Sequence, residues 1–341
     1  MVLERHLPRA HAAPRDRSGG ARRLRRGLLR AQARGESQPP RQLVTRTSPR
    51  VSVGVPVHNG ERYLGEALDS LLAQTFEDFE LIVCDNASTD RTGDIARSYA
   101  AKDRRVRYAC NEQNLGANRN FRRTFELSSG EYFRWTSADD LAGPELLARC
   151  VEVLDRDPGA VLACPKTRFI DEDGRCLSDY DDGLHLAFPK ASERFHEVLE
   201  RLGYVNAHYG LMRAAVMRSM RPLGAYPGAD VVFLAELSLY GTFWEVPEFL
   251  FYRRFHPGAA SRMDRVQISV FMDPNGRGRI HLWEWRRLLE LGRAVVHAPL
   301  GPREKLRASR FLARRAMWNR DTLARELSAA IRELATGKER G

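Results

Sequence analysis

The stretch "EYFRWTSADD", residues 131–140, runs an apolar, aromatic segment into two adjacent carboxylates, Asp139 and Asp140. Like charges side by side at the end of a buried strand repel each other and lose hydration, so they call for a positive partner. Paired carboxylate oxygens are hard ligands of the kind that a divalent cation accepts. Three more polar clusters follow the same rule: His58-Asn59 after "VSVGVPV", Asp85-Asn86 after "FELIVC", and Asn114-Leu115-Gly116 after "RVRYAC".

Each short apolar run is followed by a helical pattern: "YLGEALDSLLAQ", residues 89–101, residues 116–127 and "PELLARCVEVL". A fifth run, "AVLACPKTRFI", comes next. Strands alternating with helices predict crossover units and a mostly parallel sheet. In such a sheet the ligand crevice lies beyond the carboxyl ends of the strands, so all four polar clusters fall on one rim. The helices that follow point their N-termini there, which favours phosphate.

Beyond this region the pattern loosens. "DEDG" and "DYDDG" in 171–189 read as surface loops or a hairpin. Residues 191–202 and 229–240 read as helices, and "FWEVPEFLFYRRF" reads as two short strands around Pro247. From 280 to about 335 the pattern is helical and interrupted by "APLGP", with apolar residues every three or four positions and Arg between them.

Hydrophobic residues make up 43% of the chain and charged ones 29%, the balance of an ordinary globular protein. The net charge of +11 is unevenly divided. Residues 1–50 hold 13 Arg against 3 acids, residues 262–341 hold 18 Lys and Arg against 9 acids, and the body between holds 24 basic against 32 acidic residues. An acidic body is a poor nucleic-acid surface, and nucleic acid is not an expected partner. The five cysteines are scattered with no C-x-x-C spacing, which argues against a disulfide framework and for a reducing, cytoplasmic setting. The Arg- and Pro-rich segment 1–50 has no apolar stretch of signal-peptide length and reads as a basic, disordered tail.

In order along residues 51–261, five pieces of the chain resemble inverting glycosyltransferases of family 2. They are "VSVGVPVHNGERYLGEALDSLLAQTFEDFELIVCDNASTDRT", "NLGANRNF", "WTSADD", "ADVVFLAELSLYG" and "YRRFHPGAAS". The resemblance implies an α/β GT-A fold, Rossmann-like with a mostly parallel sheet flanked by helices, over 51–261. A basic helical appendage follows over 262–341. It also implies a nucleotide-diphosphate-sugar donor and transfer to a glycan, glycolipid or other cell-envelope acceptor.

On that resemblance, Asp85 accepts a hydrogen bond from the base, and Pro56, Asn59 and Glu61 shape the pocket for base and ribose. Gly116, Arg119 and Asn120 cover the nucleotide from the other side. Mn²⁺ or Mg²⁺ reconciles the carboxylates with the anionic diphosphate. Asp139 and His256 are its expected ligands, with Asp140 directed to sugar hydroxyls or a metal-bound water. The family pattern is Asp-x-Asp, and Ser137 stands here at its first position, which puts the ligand geometry in question. Arg253 and Arg254 are expected to pair with phosphate. Asp230 occupies the position of the general base that inversion requires, with Glu236 on the same helix as its rival.

Bland readings apply to several of these residues. Asp85-Asn86 also suits a turn or helix cap, and Glu61 a solvated helix start. "DPNGRGRIHLWE", 273–284, matches a calcium loop at several positions, but Arg277 stands where an oxygen ligand is needed. A nucleotidyltransferase would need a Gly-rich, basic phosphate loop after the first strand, which "VPVHNGERYL" lacks. A non-catalytic sugar-nucleotide-binding protein is the other alternative. The C-terminal tryptophans beside arginines admit a peripheral contact with an anionic membrane surface.

Overall fold

The computed structural model describes residues 48–274 and 282–336. Nearly all of the basic tail and most of the calcium-like loop lie outside the described residues.

Four parallel strands build the first half: β1 (Val51–Val57), β2 (Phe79–Asp85), β3 (Val106–Cys110) and β4 (Tyr132–Trp135). They lie side by side in the order β3-β2-β1-β4, which brings Val57 opposite Asp85 and Asp85 opposite Cys110. Their carboxyl ends therefore share one edge, as the alternation of runs and helices requires. The crossovers are α1 (Leu64–Leu72), α2 (Thr92–Lys102) and α3 (Ala117–Glu126). After β4 come a two-residue strand, β5 (Leu141–Ala142), and α4 (Leu146–Arg156). Every residue of β1, β2 and β4 is buried, because apolar layers cover both faces of the sheet. Val51, Val53, Val55 and Tyr132 pack in one layer, while Phe133 and Trp135 pack in the other.

The second half is mixed. It contributes β6 (Ala160–Ile170), β7 (Cys176–Tyr180), α5 (Ala191–Arg201), β8 (Leu211–Arg213), α6 (Ala214–Ser219), α7 (Ala229–Ser238) and β9 (Thr242–Arg254). The sheet continues β4-β8-β6-β9-β5, with β8 antiparallel to β4 and β6, and β6 parallel to β9. β7 returns along β6 as an antiparallel surface hairpin. The two short strands expected around Pro247 are instead one strand, β9. Its register against β6 jumps from Val246 opposite Pro165 to Phe249 opposite Lys166, so Pro247 sits in a bulge and no ladder bond is demanded of it.

Among the described residues four more helices follow: α8 (Arg265–Met272), α9 (Trp283–His297), α10 (Pro302–Trp318) and α11 (Arg320–Thr336). α8 has a capping box: Asp264 accepts from the Val266 and Gln267 amides at 2.8 Å each, and Gln267 Oε1 accepts from the Asp264 amide at 2.9 Å. α9 and α10 pack through Leu291, Val295, Phe311 and Leu312 onto the layer that holds α5 and α7.

Candidate active site

The rim at the carboxyl ends of β1, β2 and β4 opens into a cleft of about 1000 Å³. Its floor begins where β1 stops. Asn59 takes the left-handed conformation, φ 51°, which turns the chain out of the sheet. The turn is stitched to the loop after β2: the Asn59 amide donates to Ser88 Oγ and Asn59 Oδ1 accepts from the Thr89 amide, both at 2.9 Å. Glu61 Oε2 accepts from the Arg91 amide at 3.0 Å. Glu61 thus braces the two loops against each other.

Asp85, at the end of β2, is buried, and both its oxygens are engaged. Oδ1 accepts from the Ser88 amide and Oδ2 from the Tyr108 hydroxyl, each at 2.9 Å. Beside it lies a chain of amides. Asn111 Nδ2 donates to Asn86 Oδ1 (3.0 Å) and Asn120 Oδ1 (2.9 Å), while Asn120 Nδ2 donates to the Cys84 carbonyl (2.8 Å). This network fixes the start of α3 against the strand ends. Gly116 begins α3 at φ 84°, and a Cβ there would run into the Met272 carbonyl at the end of α8. Arg119 reaches across the same seam to Asp273, 3.5 Å away.

The carboxylate pair lies in the turn between β4 and β5. Asp139 Oδ2 stands 2.9 Å from His256 Nε2, and the Ser137 hydroxyl donates to Asp139 Oδ1. Burial works against the Asp139 charge, but the bonds from His256 and Ser137 hold its pKa below the usual carboxylate range. Asp140 differs. Burial, then the charge of Asp139, push it up to about 8, against the bond its Oδ1 accepts from the Arg254 amide at 2.8 Å. The two neighbours are pushed in opposite directions, and part of the positive charge they call for comes from within the chain. The Arg254 guanidinium is buried and committed: it donates to the Asp139 carbonyl (2.9 Å), the Glu172 carbonyl (2.9 Å) and Glu66 (2.7 Å). It also lies 4.7 Å from the Tyr63 ring centre, a stacking contact that holds β9 against the α1 entry.

Of the residues singled out from the sequence, Pro56, Asn59, Asn120, Asp139, Asp140 and His256 line the cleft together. Glu61, Asp85, Gly116 and Arg119 stand behind its wall in the contacts just described. Asp230 is in the first turn of α7, half-buried, accepting from the Val231 amide at 2.9 Å. Its charge is felt by His208 and by Tyr209, a residue of the cleft wall. Glu236 is buried and bound by Arg221 at 2.7 and 2.9 Å, an ion pair inside the fold. Arg62, Arg253 and Arg262 line the cleft and supply positive charge beside the carboxylates.

The sequence reading missed the wall made by α8. Met263, Val266, Val270 and Phe271 face the cleft, which therefore extends past residue 261. The capping pair Asp264 and Gln267 was the signal that marked this helix.

Among the described residues no three His, Cys, Asp or Glu side chains gather as a metal site. Two do converge: a carboxylate oxygen and an imidazole nitrogen 2.9 Å apart, close to the ~3 Å edge of an octahedron with ~2.1 Å bonds. This donor set fits Mn²⁺ or Mg²⁺ whose other ligands are phosphate and water.

Residues 52–220 match the family described as Glycosyl transferase family 2. These residues form a family 2 glycosyltransferase domain. The chain is similar to an uncharacterized glycosyltransferase of Haemophilus influenzae, 29% identical over 62% of this chain and 68% of that one. It is also similar to the putative glycosyltransferase EpsE of Bacillus subtilis, 35% identical over 32% of this chain. The match spans 40% of EpsE, and 33% of an uncharacterized Rickettsia typhi glycosyltransferase, so it covers well under two thirds of those relatives. The fold is that of S. aureus TarS 1–349, solved with UDP: TM-score 0.58, 19% identity, 80% of this chain and 73% of that one. The same TarS fragment with UDP-GlcNAc gives a TM-score of 0.57 at 18% identity, over 79% and 73% of the two chains. The family 2 domain thus has the GT-A architecture, a curled, mostly parallel sheet between helices, followed here by α9–α11. No described helix is long and apolar enough to cross a membrane.

Proposed function

We propose that this protein transfers a sugar from a nucleotide-diphosphate sugar to a hydroxyl of a glycan, glycolipid or other cell-envelope acceptor, with inversion, at the cytoplasmic side. The observation that carries the reading is the convergence of Asp139, His256, Asp140, Pro56, Asn59 and Asn120 on one cleft of about 1000 Å³ in a family 2 domain. The complexes of TarS with UDP and UDP-GlcNAc support a donor of that class.

In this reading the loop after β1 and the start of α3 hold the nucleoside between them. Arg62, Arg253 and Arg262 offset the diphosphate charge. Asp139 and His256 would hold a divalent cation, which when bound would supply Lewis-acid stabilisation of the nucleoside diphosphate charge. Asp140, lining the cleft beside Asp139, is directed to sugar hydroxyls or a metal-bound water. Asp230 takes the proton of the acceptor hydroxyl as the new bond forms from the face opposite the leaving group.

The test is a panel of UDP-, GDP- and dTDP-sugars offered to the purified chain with Mn²⁺ or with EDTA. The readouts are nucleoside diphosphate release and the anomeric configuration of the product. Release from one donor class, lost in EDTA, with an inverted product supports the reading. No binding of any donor with either Mn²⁺ or Mg²⁺ removes it.

A further inference from the structure

The last three helices bury one side and leave the other apolar in water. Of the thirteen large hydrophobic residues exposed among the described residues, nine lie on α9–α11, so exposure is concentrated here rather than scattered. On α11, Leu327, Ile331 and Leu334 recur at three- and four-residue spacing and share one face with Ala324, beside the buried stripe of Leu323 and Ala330. Leu334 is 71% exposed. On α10, Arg303, Leu306, Arg310, Arg314 and Met317 share the face opposite Ala308, Phe311 and Leu312, which are buried. On α9, Trp285, Leu289 and Val296 lie on the solvent side with Arg293. Trp318, at the end of α10, is 70% exposed.

The pattern is apolar and aromatic side chains interleaved with arginine on exposed helix faces, in a segment with 18 basic and 9 acidic residues. We infer that the exposed faces of α9, α10 and α11 dock the protein onto an anionic lipid bilayer surface. Long apolar side chains and tryptophan enter the headgroup zone while the arginines meet lipid phosphate. Charge complementarity selects this occupant. A second copy of the same face would set one net-positive segment against another, and the apolar groups are divided over three helices rather than gathered in one seam.

The test is co-sedimentation of the full chain with vesicles of phosphatidylcholine alone and of phosphatidylcholine with phosphatidylglycerol, with tryptophan emission recorded in parallel. The expected result is partition onto the anionic vesicles only, a blue shift of the emission, and release as salt is raised. The triple variant Leu327→Asp, Ile331→Asp, Leu334→Asp and the double variant Arg310→Glu, Arg314→Glu each reduce partition roughly tenfold or more. All five positions are exposed, so unchanged thermal melting is expected and checks the fold. Failure of the unaltered chain to bind anionic vesicles at low salt overturns the inference, as does equal binding to both vesicle types or full binding by both variants. A concentration-dependent dimer that the triple variant abolishes, without vesicle binding, assigns the face to a second copy and also overturns it.

Discussion

At the scale of single residues, the acidic side chains of the cleft have been divided by environment. Asp139 keeps its charge through bonds from His256 and Ser137, whereas Asp140 loses solvation and sits beside its neighbour's charge. Asp230 lies apart from both, in the first turn of α7 and outside the residues that line the cleft, where a carboxylate also meets the helix N-terminus. Glu236, six positions on, faces inward and is neutralised by Arg221. Changing Asp230→Asn is expected to lower the transfer rate by about 10²–10⁴ while leaving nucleotide-sugar affinity unchanged. Turnover and donor Kd measured on the same preparation check this, and near-normal turnover would take Asp230 out of the base role.

At the scale of elements, two joints position the site. The first is the contact of α3 with α8 at Gly116. An alanine there meets the Met272 carbonyl and is strained at φ 84°, so Gly116→Ala should cost about 1–3 kcal/mol and weaken donor binding as α8 moves off the cleft. A melting curve and a nucleotide titration read both effects, and an unshifted pair would mean that the seam is slack. The second joint is Glu80, buried at the far end of β2. It accepts from Ser52 (2.6 Å), the Ser129 amide (2.8 Å) and Arg107 (2.5 Å), tying β1, β3 and the entry to β4 together. Burial raises its pKa, but these bonds outweigh it and the net shift is downward. A depressed carboxylate contributes stability that is present above its unfolded value of 4.5 and is lost as pH falls through the folded value. Glu80→Gln should therefore lower stability by about 1.5–3 kcal/mol at neutral pH, with the gap closing below that point. Urea melts at a series of pH values follow it; a gap independent of pH would place the effect in packing instead.

At the scale of the whole molecule, the domain and its helical appendage are joined by charge as well as by apolar packing. Arg221 bridges Glu236 on α7 and Glu290 on α9, with bonds of 2.7 Å to each. Removing the buried member leaves the cation with Glu290 as its remaining carboxylate partner, so Glu236→Ala should destabilise the fold by about 1.5–3 kcal/mol. Denaturant unfolding measures the loss, and the same variant, assayed below its melting point, should keep its transfer activity. Loss of activity at unchanged stability would instead return Glu236 to the list of possible bases. The same helices carry nine exposed large apolar side chains beside the buried ones that secure the fold.

The order of strands and helices in the first half was legible in the chain because β1, β2 and β4 are covered on both faces and read as largely apolar runs, with helical patterns between them. The rim was legible too, since polar residues at strand ends repeat four times. Which of those residues face the cleft depends on side-chain partners from distant segments. Asp85 turns to Ser88 and Tyr108, Glu61 to Arg91, and Arg254 to Glu66 and backbone carbonyls. No local pattern encodes such contacts. The continuous β9 escaped the reading because a bulge removes the penalty that proline normally carries in a strand. The sequence by itself determined the alternating framework and the chemistry of its edge. Only the tertiary structure decided which edge residues meet, because that depends on packing between segments as far apart as Asp139 and His256.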